Sequence, residues 1–207
     1  MGGTTSARNH YGQYRRRRAI PVNPQTSYQG AVRDRLAINA AGWRSLTAAQ
    51  RAGWTALAEQ INRSDSLGQS HTMKGFNCYC SVNQNNLAAG NAVVTDAPLL
   101  VTPAPPTTVT ITLTSASLSV AYTPTPLAAG QRLFSYASPN TSPGRSFQKN
   151  LKLLAVSAAA AASPANLLSA FTARNGVPVT GSQVFFRFRI YQGGFLSGPL
   201  EVSQVVA

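Results

Sequence analysis

Carboxylates are scarce in this chain. Only five occur, Asp34, Glu59, Asp65, Asp96 and Glu201, and they are scattered, with no close pair for acid–base work. Most hydrolase and metal sites are hard to build from so few. Histidine is scarcer still. His10 and His71 have no neighbouring Cys, His or carboxylate at ligand spacing, so no zinc site is expected. The only cysteines, Cys78 and Cys80, sit two residues apart in a stretch that reads as helix. There they point about 200° apart around the axis, which rules out a disulfide between them. They read as small buried hydrophobes, and nothing argues for an oxidising compartment. Long apolar runs are also missing. No segment could cross a membrane as a helix, and the N-terminus has no apolar core of a secretory leader. Phosphate-binding glycine loops and a nucleophile elbow are absent too. The expectation is a non-enzymatic protein with no catalytic residues, no cofactor and no metal.

Positive charge is abundant by comparison. Eighteen Lys and Arg give a formal net charge of +13. Charged residues are nevertheless 11% of the chain, against roughly 25% in ordinary soluble domains. The surface must therefore be covered largely by Ser, Thr, Asn, Gln and Gly, which suits a protein covered by neighbours or one built from strands with polar outer faces. Arg outnumbers Lys, which favours planar multi-donor contacts.

The chain divides into four parts, giving an α+β protein with a basic extended arm, a small helical segment and a β-sandwich. Residues 1–26 form the arm. Arg15, Arg16, Arg17 and Arg18 run together, Tyr11 and Tyr14 interleave the basic residues, and Pro21 and Pro24 forbid a helix. Residues 1–35 hold seven Arg and one Asp, a net of +6, so the arm is expected to be disordered in isolation.

Residues 27–90 read as two or three helices. Ser27–Trp43 places Val32, Leu36, Ala40 and Trp43 near one face. Thr47 with Gln50 three residues on is a capping box, and Trp54, Leu57, Ala58 and Ile61 then form an amphipathic stripe. A third helix near Thr72 presents Met73, Phe76, Cys80, Asn83 and Leu87 along one side, with Tyr79 adjacent, and Gly90 is its stop. Residues 91–107, with four prolines, form an extended linker.

From residue 108 the period changes from 3.6 to 2. Thr108–Thr114 and Ser117–Tyr122 make a strand pair turning at Ser115–Ala116. Further strands are expected at Gln131–Ala137, Leu151–Ser157, Gln183–Tyr191 and Pro199–Val206, with a short helix over Pro164–Ala173 capped by Ser163. Such spacing over residues 108–207 is that of an immunoglobulin-like or fibronectin type III-like sandwich. In the strongest strand, Val184, Phe186, Phe188 and Ile190 face one way. Phe185, Arg187, Arg189 and Tyr191 face the other as an aromatic and cationic stripe, to be covered by a partner or by another part of this same chain.

The run Trp43-Arg-Ser-Leu-Thr-Ala-Ala-Gln-Arg-Ala-Gly-Trp54 is followed by Ser66-Leu-Gly and Lys74-Gly-Phe-Asn-Cys-Tyr. A second run is Phe171-Thr-Ala-Arg-Asn-Gly, then Gly181 and Val184-Phe-Phe-Arg-Phe-Arg-Ile190. Together they resemble a class of small prokaryotic and phage structural proteins, in which a Trp-x-x-Leu-Thr-x-x-Gln-Arg-x-x-Trp helix pair precedes a fibronectin-like domain. The resemblance covers about three quarters of the chain. It implies a virion structural protein without catalytic residues: a capsid-decorating, head–tail connector or tail-associated subunit in a larger homo- or hetero-oligomeric assembly, built in the host cytoplasm and not in a membrane. Its arm and helices would contact other virion or assembly proteins, and its sandwich would project.

Two other readings stand beside it. The arginine-rich arm could take nucleic-acid phosphates non-specifically, with salt-dependent affinity. The helices around Ser45–Thr47 superficially resemble a helix-turn-helix, but the second exposes only Arg51, with few groups to read bases. The third reading is a host-surface or carbohydrate-binding module, although both Trp lie in the helical part.

Overall fold

The computed structural model describes residues 3–9, 12–17, 23, 25–64, 68–149 and 151–207, without the side chains of residues 9, 63 and 64. Tyr11 and Arg18 lie outside the described residues. The chain forms two compact units, Met1–Asp34 and Arg35–Ala207.

In the first unit, strands β1 (Thr4–Asn9) and β2 (Gly12–Arg17) pair antiparallel in register from Thr4↔Arg17 to Asn9↔Gly12. The expected disordered arm is thus, over these residues, a two-stranded ribbon. Gly12 has φ +114°, a conformation open mainly to glycine, and it starts the returning strand. Composition alone masked this, because pairing uses backbone groups that polar and charged residues carry equally. Helix α1 (Ser27–Ser45) begins here and continues into the second unit. Its start is a reciprocal cap: the Gln29 amide donates to Thr26 Oγ1 and the Thr26 amide to Gln29 Oε1, at 3.3 and 3.2 Å.

The second unit opens with the rest of α1, helix α2 (Ala48–Glu59), a hairpin of β3 (Asn62–Ser64) and β4 (Ser70–Thr72), and helix α3 (Gly75–Ala88). The Thr47–Gln50 capping box forms as expected. Trp54, Leu57 and Ala58 are buried, with Ile61 packed beside them. On α1 the expected apolar face does not hold: Val32 and Leu36 are half exposed, and the helix's buried residue is Asn39. On α3 the buried face is Gly75, Cys78, Tyr79, Val82, Asn83 and Asn86. The expected face shares Asn83 with it, and the adjacent Tyr79 is buried as well, whereas Phe76 stands exposed. The helix turns inward the amides that find partners there.

Beyond the linker come β5 (Thr108–Leu113), β6 (Leu118–Thr123), β7 (Arg132–Ala137), β8 (Lys152–Val156), β9 (Ala165–Asn166), helix α4 (Leu168–Asn175), β10 (Gln183–Gln192), β11 (Phe195–Leu196) and β12 (Leu200–Val205). One antiparallel sheet runs β5-β6-β9. The other runs β8-β7-β10, and both β11 and β12 pair with the far edge of β10. The sheets share one core: Ile111, Leu113, Leu118, Val120 and Tyr122 from the first meet Leu133, Val184, Phe186, Phe188 and Ile190 from the second. The short helix starts later than expected, at Leu168. Ser163 does not cap it; its Oγ instead accepts the Tyr122 amide at 3.0 Å on the edge of β6.

Helix α3 packs on the outer face of the larger sheet. Phe134 and Tyr191 lie there, stacked at 5.5 Å, and with Ala88 and Ala89 at the end of α3 they form a second buried cluster. Trp54 Nε1 donates to Thr95 O at 2.7 Å, which ties the linker to α2. No helix among the described residues is long and apolar enough to cross a membrane.

Candidate functional site

Side chains directly opposite one another in an antiparallel pair share a face, and faces alternate along each strand. One face of the ribbon therefore carries Arg8 opposite Gln13, Ser6 opposite Arg15 and Thr4 opposite Arg17. The other carries Ala7 opposite Tyr14 and Thr5 opposite Arg16. Consecutive residues on one face lie about 7 Å apart along a strand, so Arg15 and Arg17 make a short cationic row with Arg8 diagonal to it. All four arginines are exposed, as is Tyr14. Among the described residues none of the four has an ion-pair or hydrogen-bond partner, and the ribbon's own strands contain no acid. Arg8 was not singled out by the arginine run. The antiparallel register brings it there, and Gly12 at the head of the second polar segment was the one local signal for the returning strand.

The stripe on β10 is divided among different tasks. Phe185, Arg187 and Arg189 are half-buried. Arg187 is held by Glu201 on the adjoining strand at 2.7 Å. Tyr191 is 2% exposed: its hydroxyl donates to Asn86 Oδ1 at 2.7 Å and accepts from Asn91 Nδ2 at 2.8 Å. Of the two coverings left open for this stripe, the chain's own helix supplies the one over Tyr191, which is therefore closed to an outside partner. Tyr136, opposite Arg187, has its phenol pushed up by burial, while Arg189 and Arg187 pull it down.

Elsewhere the chemistry is sparse. Among the described residues no group of three His, Cys, Asp or Glu could hold a metal. Cys78 and Cys80 are not bridged to each other; Cys78 is buried, and burial pushes the Cys80 thiol up, away from the reactive thiolate. Arg51, the one base-reading candidate on α2, lies over Trp43 at 5.9 Å and donates to Arg44 O at 2.8 Å. Compared with protein families, with curated proteins and with solved structures, the chain matches none.

Proposed function

We propose that this chain is a structural subunit of a virion-type assembly, of the capsid-decorating, head–tail connector or tail-associated kind, attached to neighbouring components through its cationic ribbon. The observation that carries this reading is the ribbon. An isolated two-stranded hairpin is marginal in water, and this one has no apolar face of its own. Its exposed arginines, unpaired among the described residues, make such a segment most stable when it lies on an acidic or phosphate-bearing surface.

Two further features support the reading. Labelling β5, β6, β7, β8, β9, β10 and β12 as strands A, B, C, C′, E, F and G gives sheets ABE and C′CFG, the partition of a fibronectin type III-like sandwich related to the immunoglobulin fold. The residues of the Trp-x-x-Leu-Thr-x-x-Gln-Arg-x-x-Trp motif have architectural tasks. Leu46 and Trp54 are core, Thr47 and Gln50 form the cap, and Arg51 lies over Trp43.

One set of samples tests the proposal. The full chain is expected to sediment with particles from its source culture. A chain with Arg15, Arg16 and Arg17 replaced by Ser is expected to stay in the supernatant with unchanged melting. A full chain found free and monomeric sinks the subunit reading, and a triple variant that sediments like the parent sinks the ribbon's role. The same samples titrated with salt against duplex DNA probe the nucleic-acid reading, which the exposed arginine row favours. If the row takes phosphates, the slope of log K against log salt shrinks by about 3 in the triple variant. Particle association without DNA binding leaves a protein surface as the partner.

A further inference from the structure

Arg189 is the one cation of the β10 stripe that lines a cavity with no anion facing it among the described residues. The register explains why. Arg187 faces Glu201 on β12 and binds it, but β12 begins opposite Phe188, so Arg189 has no strand neighbour on that edge. On its other edge it faces Phe134, an aromatic ring. Its Nε is sealed from water without a hydrogen bond, and the nearby Tyr136 phenol feels its charge.

The cavity beside it holds about 420 Å³, within the range of small-molecule sites. It lies between α3, the β10–β11 turn and residues 100–102 of the linker. Ile61, Met73, Val82, Val101 and Leu196 give apolar walls, and Ser81 and Thr102 give hydroxyls. A guanidinium in such surroundings has lost part of its hydration, and an unpaired buried charge is costly. An incoming carboxylate can accept two N–H bonds from the two terminal nitrogens of that planar group. A single cation balances a single negative charge, which favours a carboxylate over a doubly charged phosphate. The walls favour an aliphatic body.

We infer that this cavity is a binding site for a small aliphatic carboxylate, anchored head-first on Arg189 with its chain along Ile61, Met73 and Val101.

The test is calorimetric titration of the full chain with octanoate and, separately, with octan-1-ol. One-to-one binding of octanoate is expected, with the alcohol at least about tenfold weaker because it lacks the charge-assisted pair. Arg189→Gln is expected to lose that preference, and Val101→Trp, which fills the cavity, to abolish binding. A chain with Arg15→Ser and Arg17→Ser is expected to bind like the parent, which separates this site from the ribbon and from the proposed function. No octanoate binding, equal affinity for acid and alcohol, full affinity in Arg189→Gln, or loss in the ribbon variant would each overturn the inference. If circular dichroism shows Arg189→Gln unfolded, Arg189→Lys replaces it. That variant keeps the charge but not the fork, so octanoate should weaken yet remain ahead of the alcohol. Equality of the two there overturns the site as well.

Discussion

Tyr191 joins three parts of the second unit through one oxygen. Its hydroxyl donates to Asn86 on α3 and accepts from Asn91 on the linker, while its ring stacks on Phe134 of the neighbouring strand. Asn86 Nδ2 in turn donates to Asn83 Oδ1, which also accepts the Val94 amide at 2.8 Å. These are buried polar groups, and removing one partner leaves another without a bond in a place water does not reach. Tyr191→Phe keeps the stacking and deletes only the oxygen. It is expected to destabilise the unit by about 1–3 kcal/mol in urea unfolding. A loss of no more than a few tenths would show that the network does not bind helix to sheet. Little of this was legible in the sequence. Apolar periodicity finds cores made of hydrocarbon, and here the inward face of α3 carries two asparagines whose burial depends on partners in the linker or more than a hundred residues away along the chain.

At the level of elements, legibility followed period. β5, β6, β7, β8, β10 and β12 all lie where alternation placed them, because one face of each packs on a shared core. The α2 stripe is likewise correct. The ribbon and the pieces β3, β4, β9 and β11 escaped, since short or wholly polar strands carry no alternating signal. The contact of α2 with α3 depends on a glycine that the sequence does not mark. A Cβ on Gly75 would meet Thr55 Oγ1 at 2.6 Å, Thr55 N at 3.1 Å and Thr55 Cα at 3.2 Å. Two of these are backbone atoms, which cannot swing aside. Gly75→Ala is expected to cost about 1–3 kcal/mol from overpacking. Gly53, within α2, would bring its Cβ only to ordinary contact with Ala97 at 3.7 Å. Gly53→Ala should stabilise by up to about 1 kcal/mol, from helix propensity alone. Opposite signs in paired thermal melts would confirm the close approach. A neutral Gly75→Ala would mean that the helices can separate without loss.

For the whole molecule, the sequence made the charge asymmetry plain and left hidden which groups the fold removes from water. Residues 1–74 carry 11 basic and 3 acidic groups, and the excess is concentrated in the ribbon and α1. Where the helices would land on the larger sheet could not be read, because that depends on matching two surfaces, each of which looks half-exposed by itself. The buried tyrosines make the consequence measurable. Tyr79 belongs to the helical core, Tyr122 to the core between the sheets, and Tyr136 packs against the cluster where helix meets sheet. Burial pushes all three phenols above the ordinary value of 10.0, and the Cys80 thiol moves the same way. The unfolded chain therefore releases these protons before the folded one does. Their contribution to stability is complete below the ordinary phenol range and is lost as pH rises through the folded values. Net charge predicts the reverse. Raising pH toward the isoelectric point near 10.9 relieves repulsion among the cations and should stabilise the compact state. Urea unfolding at about pH 8 and again half a unit or so above the ordinary phenol value, with tyrosinate absorbance followed in parallel, decides between them. The expected outcome is a fall in stability at the higher pH, with tyrosinate appearing together with unfolding. A rise would mean that charge repulsion outweighs burial across all three clusters.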